Sequence, residues 1–181
     1  MSPQMTLILG GARSGKSHHA QQLAEASGQK VLYVATAQPG DDEMRARIAV
    51  HQAERPAHWQ TLEITQNVGE AIAQHGGEES IILIDCITLL VSNILLAQPE
   101  DSSLSELQQV LDRELLALLE TFQHSQAEWI VVSNEVGLGL VPDNRLGRLY
   151  RDLLGRANQR LAQSADRVLL MVAGLPLSIK E

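Results

Sequence analysis

The stretch Gly10-Gly11-Ala12-Arg13-Ser14-Gly15-Lys16-Ser17 matches the pattern G-x-x-x-x-G-K-[S/T] at every fixed position. Glycines in this pattern let the main chain curl, so that its N–H groups point toward phosphate oxygens. Lys16 brings a cation to the β- and γ-phosphates, and the Ser17 hydroxyl is a ligand for Mg²⁺. The stretch therefore predicts a site for a nucleoside triphosphate.

The segments on either side of this stretch have the form that such a loop requires. Residues 5–9 (MTLIL) are a short apolar run that suits a buried strand, and residues 16–26 are compatible with a helix. The helix then adds the positive end of its dipole to the phosphate site. The alternative is a glycine turn beside an ordinary surface lysine, which would make both the pattern and its flanks coincidental.

The composition indicates a globular protein with one substantial core. Of the 181 residues, 44% are hydrophobic and 20% are charged. A net charge of −8 argues against a surface that binds nucleic acid. The single cysteine, Cys86, excludes an internal disulfide, and we interpret it as a small core residue. The most apolar stretch, residues 81–97, is short for a membrane span, so we expect a soluble cytoplasmic protein.

Short apolar runs alternate with helical segments along the whole chain. Continuous runs such as 81–84 and 130–132 are typical of strands covered on both faces. The pattern predicts an α/β fold of the P-loop NTPase type, with a mostly parallel sheet and helices on both faces, in a single domain over residues 1–181. The predicted strands are 6–9, 31–35, 80–85, 129–133 and 167–172, with a possible edge strand at 59–64. The predicted helices are about 16–26, 41–53, 67–74, 87–96, 104–123 and 144–164.

Two further segments follow predicted strands, at the edge where open α/β sheets bind ligands. Asp85 ends the apolar run 81–84, where P-loop proteins hold a second acid that is directed at Mg²⁺. Its alternative role is to cap the next helix. Residues 133–139 (SNEVGLG) combine two glycines with an Asn-Glu pair, which suits a substrate loop, although a turn without chemistry is the alternative.

His51 differs from the other histidines in its neighbours. Glu43, Arg47, His51 and Arg55 are spaced by four, so they share one face for as long as the predicted helix continues. An imidazole is a competent nucleophile near neutral pH, and adjacent arginines would attract phosphate. From the residues alone, an exposed helix of mixed charge explains the same spacing, and a chemical role for His51 stays one of two alternatives.

Beyond these patterns, the sequence resembles the bifunctional adenosylcobinamide kinase/adenosylcobinamide-phosphate guanylyltransferase family of cobalamin biosynthesis. The resemblance extends over nearly the whole chain. It is carried by residues 10–17, 33–37, 42–44, His51, 55–59, 85–88, Asn93, 134–142, 151–152, 158–159 and 165–166.

The resemblance implies two reactions. In the first, ATP or GTP phosphorylates the aminopropanol hydroxyl of adenosylcobinamide. In the second, a histidine takes GMP from GTP and passes it to adenosylcobinamide phosphate, which gives adenosylcobinamide-GDP. By resemblance the nucleophile is His51, and Lys16 with Mg²⁺ would stabilise charge on the reacting phosphates. Ser17 and Asp85 are the expected Mg²⁺ ligands, and a homotrimer is the expected assembly.

The resemblance also assigns the residues that hold nucleotide. The loop would bind the triphosphate, and segments after the second strand and around His51 would help hold the guanine nucleotide. The full set is Gly10, Gly11, Ala12, Arg13, Ser14, Gly15, Lys16, Ser17, Thr36, Ala37, Gln38, Gln52, Ala53, Glu54, Arg55, Glu63 and Asp85.

Two other functions are compatible with a P-loop. One is a monofunctional kinase for a small molecule, in which His51 merely lies on a surface helix. The other is a nucleotide-dependent switch or binding module. Guanine switches usually carry an Asn-Lys-x-Asp motif that reads the base, and this sequence contains none.

Overall fold

The computed structural model describes residues 3–40, 42–53, 55–75 and 77–181, and within α2 it leaves out the side chains of residues 43, 44, 47 and 51. Strands and helices alternate along most of the chain, as the apolar runs predicted. The strands are β1 (Met5–Gly10), β2 (Val31–Ala35), β3 (Gln60–Glu63), β4 (Ile81–Asp85), β5 (Glu128–Val132), β6 (Arg167–Val172) and β7 (Leu175–Lys180). The helices are α1 (Lys16–Ala26), α2 (Asp42–Ala53), α3 (Val68–His75), α4 (Ile87–Leu96), α5 (Leu104–His124) and α6 (Arg145–Ser164).

Across the described ranges the strands form one seven-stranded sheet in the order β3-β2-β4-β5-β1-β6-β7. All neighbouring strands are parallel except β6 and β7, which are antiparallel. The predicted mostly parallel sheet is therefore confirmed. Because β5 lies between β1 and β4, the loops that follow these three strands meet at one edge of the sheet.

The core lies on both faces of the sheet. Leu7 belongs to a large apolar cluster with residues of α3, α4, α5 and α6, whereas the next residue, Ile8, belongs to a smaller cluster with Ala20 and Ala24 of α1. Successive side chains of a strand point to opposite faces, so β1 serves both clusters. The prediction of helices on both faces is confirmed. None of the helices in the described ranges is long and apolar enough to cross a membrane.

The strand β7 was not predicted. It follows a two-residue turn in which Ala173 and Gly174 have φ of 52° and 82°. Such turns favour Asn-Gly or Gly-Gly, so Ala173 gave no turn signal. The strand is exposed along its whole length and contains Pro176, which an edge strand tolerates. The alternation of Leu175, Leu177 and Ile179 is the signal that could have revealed it.

Candidate nucleotide site

A cavity of about 780 Å³ lies at the edge of the sheet where the parallel strands end. Its wall contains residues 12–17 of the loop after β1, together with residues from β2, α2, β3, β4 and the segment after β5. This is the edge at which the sequence predicted the ligand. Of the residues predicted to hold nucleotide, those in the wall are 12–17, Ala37, Gln52, Arg55, Glu63 and Asp85.

The loop between β1 and α1 needs glycine at two positions. Gly10 has a φ of 154°, and a Cβ on it would lie 2.6 Å from Ser14 Oγ and 2.7 Å from the carbonyl oxygen of Met171. Gly15, with a φ of 93°, directly precedes α1, and no side chain in the described residues caps that helix. The first N–H groups of α1 are thus available to an anion at the mouth of the loop.

Lys16 is prepared for an anionic ligand. Its side chain is folded into the loop, where Nζ donates a hydrogen bond to the carbonyl oxygen of Gly11 at 2.6 Å, and only 7% of the residue is exposed. Burial lowers the pKa of Lys16, and the negative charge of Asp85 opposes this shift. A buried ammonium group is costly unless it is paired, so a phosphate in the cavity would be stabilised beside it.

Asp85, the last residue of β4, is held by an aromatic residue of the neighbouring strand. Its Oδ2 accepts a hydrogen bond from the hydroxyl of Tyr33 at 2.8 Å. Burial raises the pKa of Tyr33, and the adjacent Asp85 raises it further, so the hydroxyl remains a donor at neutral pH. On the Tyr33 ring lies the guanidinium of Arg55, with Cζ 3.8 Å from the ring centroid.

The residues in the wall fit Mg²⁺ bound together with a nucleotide. The Ser17 hydroxyl and the Asp85 carboxylate are hard oxygen donors, and both lie in the wall. Mg²⁺ in phosphate sites takes one or two protein ligands and completes its shell with phosphate and water. The described residues contain no group of three or more His, Cys, Asp and Glu that could hold a metal ion. The donor set therefore suits a metal that arrives with phosphates.

Thr36 lies behind the cavity wall. It is fully buried, and its Oγ1 donates to the carbonyl oxygen of Cys86 at 2.6 Å and accepts from the Cys86 N–H at 2.8 Å. Its own carbonyl oxygen accepts a hydrogen bond from Asn93 Nδ2 at 2.9 Å. Thr36 thus ties the end of β2 to the segment that follows Asp85. The peptide bond between Asp85 and Cys86 is cis.

The helix α2 borders the cavity. Ile48 and Gln52 lie in the wall, and Gln52 Nε2 donates to Glu63 Oε1 at 3.0 Å. The main chain of His51 belongs to this helix, between these two residues, while its side chain lies outside the described part of the chain. Glu54 also lies outside the described residues. Among the remaining predicted residues, Gly10, Gly11, Gln38 and Ala53 are not in the wall.

Tyr33 and Cys86 are among the wall residues that were not assigned a part in the nucleotide site from the sequence. Tyr33 belongs to an apolar strand, and only its hydrogen bond to Asp85 shows that it takes part in the site. Cys86 is partly buried and also lines the cavity, so its interpretation as a core residue was incomplete. Burial raises the pKa of Cys86 to about 12. The position of Cys86 directly after a strand, at the edge where such sheets bind ligands, is the signal that could have found it.

The segment after β5 contributes its second residue to the wall. Asn134 lines the cavity, and its N–H donates to Thr88 Oγ1 at 2.7 Å. Its carbonyl oxygen accepts from Asn158 Nδ2 at 2.9 Å. Further along the predicted substrate loop, Leu138 is 85% exposed.

A mostly parallel α/β sheet in which an inner strand leads through a glycine loop into a helix defines a P-loop nucleotide-binding protein. Among solved structures, the RadB recombinase is similar in fold, with a TM-score of 0.51. The match covers 93% of this chain and 74% of that chain at 17% sequence identity, so the likeness concerns the fold alone. The predicted fold class is confirmed.

The chain belongs to the family described as cobinamide kinase / cobinamide phosphate guanyltransferase, whose model matches residues 6–179. It is 45% identical to the bifunctional adenosylcobalamin biosynthesis protein CobU of Salmonella typhimurium and 42% identical to that of Escherichia coli, and each match covers 97% of this chain and 99% of the relative. It is 46% identical to the bifunctional adenosylcobalamin biosynthesis protein CobP of Pseudomonas aeruginosa, over 96% of both chains. The resemblance found in the sequence is confirmed.

Proposed function

We propose that this chain is a bifunctional enzyme of adenosylcobalamin biosynthesis. It phosphorylates adenosylcobinamide with ATP or GTP, and it transfers GMP from GTP to adenosylcobinamide phosphate. The observation that carries the proposal is that residues 12–17 of the loop, Asp85 and the helix containing His51 border one cavity. Family membership over residues 6–179 supports the same two activities.

In the kinase step, the substrate hydroxyl oxygen attacks the γ-phosphorus. The bond from that phosphorus to the β–γ bridging oxygen breaks, the nucleoside diphosphate leaves, and the hydroxyl proton is released. Lys16 and the free N–H groups at the start of α1 stabilise negative charge on the phosphates. Mg²⁺ held by Ser17 and Asp85 would neutralise further phosphate charge.

In the guanylyl step, an imidazole nitrogen of His51 attacks the α-phosphorus of GTP. A nitrogen–phosphorus bond forms, the bond to the α–β bridging oxygen breaks, and pyrophosphate leaves. A phosphate oxygen of adenosylcobinamide phosphate then attacks the same phosphorus, and the nitrogen–phosphorus bond breaks. Two displacements at phosphorus replace one difficult transfer. The wall position of residues on either side of His51 supports this assignment.

The described residues offer partners for both the base and the phosphates. The Glu63 carboxylate is the type of acceptor that the N1–H and amino group of guanine require. Gln52 holds that carboxylate at 3.0 Å, and Arg55 offers a cation to phosphate. Thr36 acts from behind the wall. Gly10, Gly11, Ala37, Gln38, Ala53 and Glu54 complete the proposed nucleotide set.

Incubation with GTP labelled at the α-phosphorus tests the histidine. We expect an acid-labile covalent label on the wild type and on the control His58→Ala, whose histidine is exposed and outside the wall. His51→Ala should take up no label. A label that persists in His51→Ala contradicts the assignment. Phosphorylation of adenosylcobinamide without any label supports the monofunctional kinase, and nucleotide binding without either transfer supports a switch.

We also place the enzyme in the cytoplasm as a homotrimer. The edge strand β7 supports self-association, because Leu175, Leu177 and Ile179 alternate along it and are 71%, 56% and 59% exposed. An exposed apolar edge strand is a typical surface for association between chains. Native mass spectrometry should give three times the chain mass, and Leu177→Lys should lower it. A wild-type monomer at micromolar concentration contradicts the trimer.

A further inference from the structure

Tyr33 joins two parts of the cavity that the chain supplies from separate segments. It lies in β2, between β3 and β4, and pairs with Thr61 on one side and Leu83 on the other. Only 2% of the residue is exposed, yet it belongs to the cavity wall. Its contacts run in two directions, toward Asp85 through the hydroxyl and toward Arg55 through the ring.

The hydroxyl of Tyr33 fixes the orientation of Asp85. A carboxylate at the end of a strand can rotate about its last bond, and the hydrogen bond of 2.8 Å to Oδ2 selects one orientation. Hydrogen bonds to a charged acceptor are stronger than neutral ones, more so in a buried setting. Ligands that bind Mg²⁺ depend on such outer partners to stay in place. Removal of the hydroxyl alone should therefore weaken metal-dependent binding.

The ring of Tyr33 supports Arg55. The guanidinium lies 3.8 Å from the ring centroid, close enough for a cation–π contact. Trp59 packs near the same ring, with centroids 6.4 Å apart and planes inclined by 27°. An arginine side chain has many rotamers, and stacking reduces the entropy lost when it grips a phosphate. Arg55 Nε is buried with no partner among the described residues, which suits a group that awaits an anion.

We propose that Tyr33 is a positioning residue for both parts of the nucleotide site, orienting the metal-directed carboxylate of Asp85 with its hydroxyl and the phosphate-directed cation of Arg55 with its ring. The inference rests on the proposed nucleotide chemistry of this cavity. It predicts that the two contacts can be separated, because Tyr33→Phe removes only the hydroxyl and Tyr33→Leu removes the ring as well.

Calorimetric binding of a non-hydrolysable GTP analogue, with EDTA and then with Mg²⁺, measures the two contacts separately. For Tyr33→Phe we expect affinity in EDTA within about twofold of wild type, while the gain in affinity on adding Mg²⁺ shrinks roughly five- to tenfold. For Tyr33→Leu we expect affinity in EDTA to fall roughly fivefold as well. Asp85→Asn should lose the gain with Mg²⁺, and Arg55→Ala should lose affinity in EDTA.

Each half of the proposal can be overturned. Tyr33→Phe with a wild-type gain from Mg²⁺ overturns the role of the hydroxyl. Arg55→Lys keeps the charge without the planar group, so it should lose most of the affinity in EDTA that Arg55→Ala loses. If Arg55→Lys binds the analogue with wild-type affinity, the role of the ring is overturned, even if Tyr33→Leu does not fold. A wild type that binds no analogue and takes no label from GTP contradicts the proposed function instead. If the wild type binds the analogue and takes the label, while Tyr33→Phe keeps the wild-type gain from Mg²⁺, only the inference about Tyr33 is contradicted.

Discussion

Replacing Gly10 with alanine tests whether the glycine loop is built as the structure has it. The new Cβ would lie 2.6 Å from Ser14 Oγ, 2.7 Å from the Met171 carbonyl oxygen and 3.1 Å from Met171 Cβ. The carbonyl belongs to β6, which is paired with β1, so it cannot move without disturbing the sheet. The φ of 154° adds a conformation that L-residues with side chains rarely adopt.

These contacts set the size of the effect. Backbone strain at such a position costs about 1–3 kcal/mol, and overpacking costs about 1–3 kcal/mol more. Alanine also restricts the unfolded chain more than glycine does, and this offsets about 0.4–1 kcal/mol of the loss in stability. We expect Gly10→Ala to lower the free energy of unfolding by about 2–4 kcal/mol, which corresponds to a fall in Tm of roughly 5–15 °C.

Gly11→Ala is the matched control. It is the adjacent residue of the same loop, its Cβ would have no atom within 4 Å, and it needs no positive φ. Urea denaturation and calorimetry should show this variant within about 0.5 kcal/mol of wild type. Binding of a GTP analogue should weaken in Gly10→Ala far more than in Gly11→Ala. If the two variants unfold at the same urea concentration, the loop geometry described here is wrong.

Three further outcomes can be measured. Gly69→Ala should lower the free energy of unfolding by about 1–3 kcal/mol, because its Cβ would lie 2.6 Å from the main chain of α5. The control Gly155→Ala, whose Cβ would have no atom within 4 Å, should raise the free energy of unfolding by about 0.5–1 kcal/mol. Equal urea midpoints for the two variants would contradict the packing of α3 on α5. Cys86, whose thiol pKa is raised to about 12 by burial, should react slowly with iodoacetamide at neutral pH and faster in urea, and equal rates would contradict its burial. The hydrogen bond from Arg156 lowers the pKa of Asp112, so the pair should stabilise the fold slightly at neutral pH and lose this effect as the pH falls below the ordinary Asp value of 3.8. An Asp112→Asn variant whose stability deficit does not shrink in acid would contradict this.

The central part of the fold could be predicted from the sequence because its elements are local patterns with strong burial. The strands at 31–35 and 167–172 and the helices at 16–26 and 87–96 have the predicted bounds. Buried parallel strands are continuously apolar, and this pattern can be recognised without knowing which strands pair with each other. The exposed strand β7 carries no such signal. It exists because its main chain pairs with β6, and that pairing is a tertiary contact.

The candidate site divides in the same way. The loop of residues 10–17 was predicted because one contiguous stretch supplies the glycines, the lysine and the hydroxyl. Tyr33 and Cys86 were given no part in the site, since their contacts with Asp85 and Thr36 join different segments of the chain. Thr36 was predicted as a nucleotide contact, and the structure puts it behind the wall, where it holds Cys86.

The sequence by itself determined the phosphate-binding loop and the alternating α/β order, because each depends on neighbouring residues whose geometry is fixed within a few bonds. It also indicated the family, through a resemblance carried by motifs over nearly the whole chain. Only the tertiary structure decided that Tyr33 joins Asp85 to Arg55, because Tyr33 and Asp85 are 52 positions apart in the sequence. The physical reason is that parallel strands align their carboxyl ends, and this alignment gathers distant side chains around one cavity.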